Sequence, residues 1–260
     1  MKKLYFLLFL QALAFAVFAQ ANEFGLGYQL SLPQSEMKNG WNAGHGIQLS
    51  YFRHFEKAKW LSVGGNFGIG GYAMETQPQE YMFRDGTITN TDVILSSSLG
   101  SAALSTRMTA FTSKTVMPFV ELQSGYFWMY SSLYIEDPSD PFGCKALESK
   151  TLVNSGTFFG SVGGGVQILL GKANYRGRHL LEMGARSVFG NNLEYANMNR
   201  IYNDHEVTSE PLPAKGEKPL MVTFINVSTN EQHEHSVAEL YNHPLRALQF
   251  NVQYAYRFGK

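Results

Sequence analysis

Four ionisable side chains stand in stretches that otherwise avoid charge: Arg107, Glu121, Glu182 and Arg257. Guanidiniums set against carboxylates can neutralise one another through charge-assisted hydrogen bonds, or they can pass ions or protons through a narrow place. Which of these holds depends on whether the fold brings them together. His233-Glu234-His235 is the one metal-like cluster. On an extended chain His233 and His235 share a face, Glu231 joins them, and the set would suit a divalent cation. In a polar loop such histidines are ordinarily solvated, so no metal site is expected. His45 and His243 could each serve a serine nucleophile as base, but no serine stands in a recognisable nucleophile context. The lone cysteine, Cys144, excludes an intramolecular disulfide. There is no Walker loop, no dinucleotide-binding glycine fingerprint and no cysteine pair. No catalytic residue and no cofactor is therefore expected.

The rest of the sequence says what must position those groups. Basic and acidic residues balance at 21 each, so no basic field recruits nucleic acid. Charged residues make up 16% of the chain, against roughly 25% in soluble domains. Aromatics reach 14%, and there are 25 glycines. That composition suits a wall with lipid outside and small or polar side chains inside. At the N-terminus Lys2 and Lys3 precede an apolar run over residues 4–18 that only Gln11 interrupts. Val17-Phe18-Ala19 then offers a cleavage site, which predicts a signal peptide over residues 1–19 and a mature chain from 20 to 260. A cut after Ala21 is the alternative. The later sequence has no apolar run approaching the ~18 residues of a helical span.

Period-two alternation marks the strands. Phe24, Leu26, Tyr28, Leu30 and Leu32 alternate with Gly25, Gly27, Gln29 and Ser31. Leu248, Phe250, Val252, Tyr254, Tyr256 and Phe258 alternate with Gln249, Asn251, Gln253, Ala255 and Arg257. Segments 46–55, 60–73, 94–111, 118–130, 158–170 and 179–189 read the same way. Their polar face is mainly Gly, Ser, Gln and Asn, which fits a crowded lumen better than a free surface. Connections alternate between short (56–59, 112–115, 172–178) and long (33–45, 75–92, 131–156, 190–244). The expected fold is all-β: an eight-stranded antiparallel up-and-down transmembrane barrel, with both termini on the short-turn side. Ten strands is the alternative, if residues 219–228 paired with 195–202. A hairpin above the membrane is the preferred reading of those pieces.

The export signal, the eight alternating segments and the aromatic-rich end over residues 250–258 resemble the small OmpA/OmpX-type outer-membrane barrels. The resemblance implies the bacterial outer membrane, contact with its lipid and lipopolysaccharide, and handling by the barrel-insertion machinery. Gly259 and Lys260 after Phe258 depart from an aromatic-ended last strand. An eight-stranded lumen is just wide enough for side chains to fill. Arg107, Glu121, Glu182 and Arg257 are all placed near the turn side and are expected to meet there as a structural ion-pair plug. Tyr126, Trp128 and Tyr130 should climb to the outer rim, with Trp60, Tyr254, Tyr256 and Phe258 near the inner one. Function then moves to the outer loops, as adhesion or recognition of a protein or glycan, or as an accessory envelope role. A lipid-modifying enzyme and a narrow channel are the alternatives.

Overall fold

The computed structural model describes residues 19–259, apart from 83–85, 87, 111, 113–114, 138–145, 175–176, 198–217 and 226–231. Residues 1–18 and Cys144 lie outside the described residues, and with them most of the signal-peptide assignment.

The strands are β1 (Ala19–Pro33), β2 (Gly44–Phe55), β3 (Leu61–Met82), β4 (Ile88–Thr109), β5 (Val116–Glu136), β6 (Ala146–Asn174), β7 (Gly177–Asn197), β8 (Lys218–Ile225) and β9 (Gln232–Gly259). Each of β1 to β7 pairs with its sequence neighbour, β7 pairs with β9, and β9 closes the ring on β1. Every pairing is antiparallel. The fold is thus an up-and-down barrel of eight strands, with β8 outside the ring.

The described part of segment 219–228, through Ile225, does form a strand, but it pairs with Gln232 to Leu240 of β9 instead of 195–202. Tyr195 belongs to β7 and faces Tyr241. The long connections also need correction. The β3–β4 ladder continues to Met82 opposite Ile88, and the β5–β6 ladder to Glu136 opposite Ala146. Much of 75–92, 131–156 and 190–244 is therefore strand. Backbone N–H and C=O groups still need partners beyond the barrel rim, and continuing the ladder supplies them. Pairing of β2 with β3 stops at Gly71, and of β6 with β7 at Gly190. Beyond those points the wall divides into two projecting sheets, β3-β4-β5-β6 and β7-β9-β8. Leu95, Leu133, Ile135, Val153 and Ala196 pack between them.

The pleat sorts side chains as the alternation requires. Phe24, Leu26, Tyr28, Val120, Leu122, Val252 and Tyr254 are exposed on the outer wall, while Glu23, Gln29, Gln253 and Arg257 are buried inside. The upper lumen is another matter. It is filled by Leu99, Phe127, Met129, Phe159, Val188, Leu193, Tyr195 and Tyr241. The β1–β2 connection turns inward through a short 3-10 helix, Ser35–Asn39, and adds Met37 and Trp41 to this plug. Trp41 sits 6.0 Å from Tyr72 and 6.1 Å from Phe127, ring centre to ring centre. Nearer the turns, Met117, Leu180 and Ala255 form a second, smaller apolar floor.

Candidate functional site: the charged lumen

Between the two apolar tiers lies a polar layer built from the inward positions of every ring strand. β4 supplies Arg107 and β5 sets Glu121 directly opposite it. β1 supplies Glu23, which faces Arg257 of β9. β7 brings Glu182 beside Gln253 of β9 and Gln167 of β6. The four residues singled out in the sequence therefore fall in one layer.

Arg107 is the centre. Its Nη2 lies 2.6 Å from Glu121 Oε2 and its Nη1 2.6 Å from Glu182 Oε2, while Nη1 also reaches Glu23 Oε1 at 3.2 Å. Its guanidinium is sandwiched between Phe52 at 4.0 Å and Phe119 at 4.4 Å. The planar fork satisfies three carboxylates while its faces meet aromatic rings, a combination lysine cannot reproduce. Arg257 does not touch Arg107's other two carboxylates. It binds Glu23 through Nη2 at 2.6 Å and donates to Gln167 Oε1 at 2.8 Å.

Amides complete the shell. Gln167 Nε2 donates to Glu23 and to Glu182, each at 2.9 Å. Gln253 Nε2 donates to Glu182 at 2.7 Å, and Asn66 Nδ2 to Glu121 at 3.0 Å. Gln123 also donates to Glu121. Glu182 thus has every oxygen engaged, which is the condition under which a buried charge is tolerable.

Sequence reasoning missed three ionisable members of the layer. Glu23 accepts from Arg107, Arg257 and Gln167, and lies 3.2 Å from His54 Nε2. Arg186 approaches Glu121 at 3.9 Å and donates to Gln249 at 3.0 Å and to Gln48. Strand parity was the available signal: Glu23 shares its face with Gly25 and Gln29, and Arg186 with Glu182. Among the described residues the layer holds three carboxylates and three guanidiniums, so it is charge-balanced with His54 neutral. The gap among Glu121, Glu182, Arg186 and Asn251 measures about 10 Å³, room for no more than a single water.

The close packing has a backbone cause. A Cβ at Gly27 would collide with the Cα and Cβ of Gln253, and one at Gly163 with Arg186. Glycine at these two points lets long polar side chains from the neighbouring strand lie against the wall.

The other candidates fall elsewhere. His45 pairs with Tyr28 on the outer wall. His243 lies in the upper mouth, 3.1 Å from the Tyr195 hydroxyl and 3.9 Å from Glu36. His233 and His235 lie in the β9 extension, opposite Phe224 and Val222 of β8. Their side chains are outside the described residues, as is Glu231.

This geometry defines a class: a β-barrel with an apolar outer wall and a filled, charge-balanced interior. No family model matches the chain, and no curated protein matches it. Among solved structures it is similar to Neisserial surface protein A, at 10% identity over 92% of this chain and 96% of that one, with a TM-score of 0.43. It is also similar to Ail, the attachment invasion locus protein of Yersinia pestis, crystallised in complex with the heparin analogue sucrose octasulfate. There the identity is 10%, the coverage 92% of this chain and 99% of that one, and the TM-score 0.39.

Proposed function

We propose that this chain is an integral protein of the bacterial outer membrane, exported with residues 1–19 as a cleaved signal peptide. Its barrel is closed to solutes, and its projecting strands present a recognition surface to a protein or glycan outside the cell. The observation that carries the reading is the reversal of polarity across the wall. Phe24 to Leu32 of β1 covers eight steps of about 3.4 Å, or roughly 20 Å of height at a tilt of about 40°. Over that height the outward positions of β1 are all apolar or tyrosine, while Glu23, Gln29 and Ser31 are buried inside. A water-soluble barrel would have no use for an apolar exterior around a charged interior; a lipid-embedded one requires it.

Tyr51, whose hydroxyl donates to Asn22 Oδ1 at 2.8 Å and accepts from Arg53 Nε at 3.0 Å, marks the inner edge of the belt. Trp60, Tyr254 and Phe258 are exposed on the same side, and Tyr126 and Tyr130 face out higher up, as interfacial anchors would. The balanced Arg107 layer is the structural plug, with the Trp41 tier above it as a second seal. This stands against the narrow-channel alternative. The described histidines pair with tyrosines and glutamates, which lends no support to a serine hydrolase.

Recognition is assigned to the projecting β7-β9-β8 sheet and the connection it carries, because strands that outrun the belt contribute nothing to spanning it. Deleting residues 199–230 tests this. Loss of attachment of expressing cells to immobilised glycans or host proteins, with the barrel still inserted, supports the assignment; unchanged attachment refutes it.

A further inference from the structure

Two clefts open on the outer wall and run into one another. The larger, about 670 Å³, has Gly65 and Ala102 in its floor and Phe67, Tyr126 and Phe158 in its sides. The smaller, about 380 Å³, is bounded by Gly160, Phe189, Asn191 and Arg246. Ser124 and Phe158 line both.

Strand register explains their continuity. From Gly65 a row of directly opposed outward residues passes through Leu104, Ser124, Gly160 and Phe189 to Arg246. Strands in a closed barrel are staggered, so a row perpendicular to them climbs around the wall. This one starts within the apolar belt and ends at the outer rim, where the Arg246 carbonyl accepts from the Gln34 N–H at the head of β1. Gly65 and Ser124 are the low points of the row, Leu104 stands up between them, the Phe189 ring lies across Gly160, and the rings of Phe67, Tyr126 and Phe158 raise the sides of the furrow. Phe158 is 73% exposed and Phe67 43%, so these rings face whatever solvent surrounds the barrel.

Arg246 gives the furrow a direction. It is exposed; its carbonyl accepts from the Gln34 N–H and its own N–H donates to Met37 Sδ at 3.2 Å. Among the described residues its guanidinium forms no ion pair. A cation at the top of an apolar furrow complements an amphiphile with an anionic head and a hydrocarbon tail.

We infer that this furrow is a docking site for one membrane lipid, its acyl chain lying from the Phe189 ring past Ser124 down to Gly65 and its phosphate on Arg246. The inference rests on the membrane reading given above. In a bilayer the furrow must be filled, and hydrocarbon is the filler at that depth; the arginine selects among lipids by head group.

The test uses the full barrel in phosphatidylcholine nanodiscs carrying a minor fraction of phosphatidylglycerol, with bound lipid read by native mass spectrometry after release. One retained phosphatidylglycerol per barrel is expected. Arg246→Gln should lower its retention relative to phosphatidylcholine about tenfold, equivalent to about 1.4 kcal/mol. Ser124→Phe, which fills the furrow where the clefts meet, should abolish retention of both lipids while the folded band on unheated gels persists. Equal retention of the two lipids by the unaltered protein, or unchanged retention in both variants, overturns the inference. So does a stable dimer that buries Phe158 and Phe189, since a second copy would then be the occupant. A chain that fails to enter bilayers at all overturns the membrane reading, and this inference with it.

Discussion

Replacing Arg107 with methionine probes the interior most sharply. Arg107 is 1% exposed and touches three carboxylates, but the three do not lose equally. Glu23 keeps Arg257 at 2.6 Å, and Glu121 keeps Arg186 at 3.9 Å. Glu182 keeps the amides of Gln167 and Gln253, and Arg107 is its only salt-bridge partner among the described residues. The substitution therefore strands one buried carboxylate. Removing one partner of a buried pair costs about 3–5 kcal/mol, and losing the contacts with Phe52 and Phe119 adds about 1–2. Arg107→Met should thus cost about 4–7 kcal/mol.

Glu182→Gln leaves Arg107 with Glu23 and Glu121 and should cost about 1–3 kcal/mol. The double variant keeps Glu23 and Glu121 against Arg186 and Arg257, two charges of each sign. It should be more stable than Arg107→Met alone, which requires a coupling energy larger than the cost of Glu182→Gln itself. Urea titration in phospholipid vesicles, read by the folded and unfolded bands on unheated gels, measures all three. Additive costs would refute the reasoning, because they would mean that Glu182 does not feel the missing charge.

Other expectations follow from single contacts. Val252→Arg places a cation on the apolar outer wall of β9 and, on the membrane reading, should reduce stability in bilayers by about 2–4 kcal/mol, whereas Ser149→Arg on the projecting part of β6 should stay within about 0.5; the same titration compares them. Trp41→Ala removes the largest fully buried side chain and should cost about 3–5 kcal/mol, yet planar-bilayer recordings should stay silent because the charged layer below remains intact. Gly27→Ala drives a Cβ into Gln253 and should cost about 1–3 kcal/mol by urea titration, weakening the β1–β9 closure.

The ring was readable because an apolar outer wall and a polar lumen impose opposite demands on alternate residues. Where one of those demands lapses, so did the reading. Beyond the belt the outer face need not be apolar, so in the ladders over 75–82, 88–92, 131–136 and 146–156 only a few inward positions such as Leu133 and Ile135 carry an apolar signal, too short to set a strand apart from a loop. In the upper lumen both faces are apolar. Phe127 and Met129 point inward between Tyr126, Trp128 and Tyr130, and period two has no way to say which set is inside. Met37 and Trp41 come from a connection with no period at all, so only the fold shows them entering the barrel.

The charged layer was legible in part. Arg107 and Glu121 sit near the ends of consecutive strands joined by a short turn, and that spacing alone sets them opposite each other. Glu23 precedes the first large apolar residue of β1, and its inward direction follows from parity with Gly25. Its partners, Arg257 and Arg107, depend on which strands close the ring, and that is a property of the whole sheet.

Conductance tests the sealed barrel most directly. Purified protein inserted into planar bilayers, with insertion verified by its heat-shifted gel band, should show no steady current at moderate voltage, and Arg107→Met/Glu182→Gln should remain silent beneath the Trp41 tier. A stable, reproducible ion current from the unaltered protein would contradict a closed lumen and return the search for function to the interior.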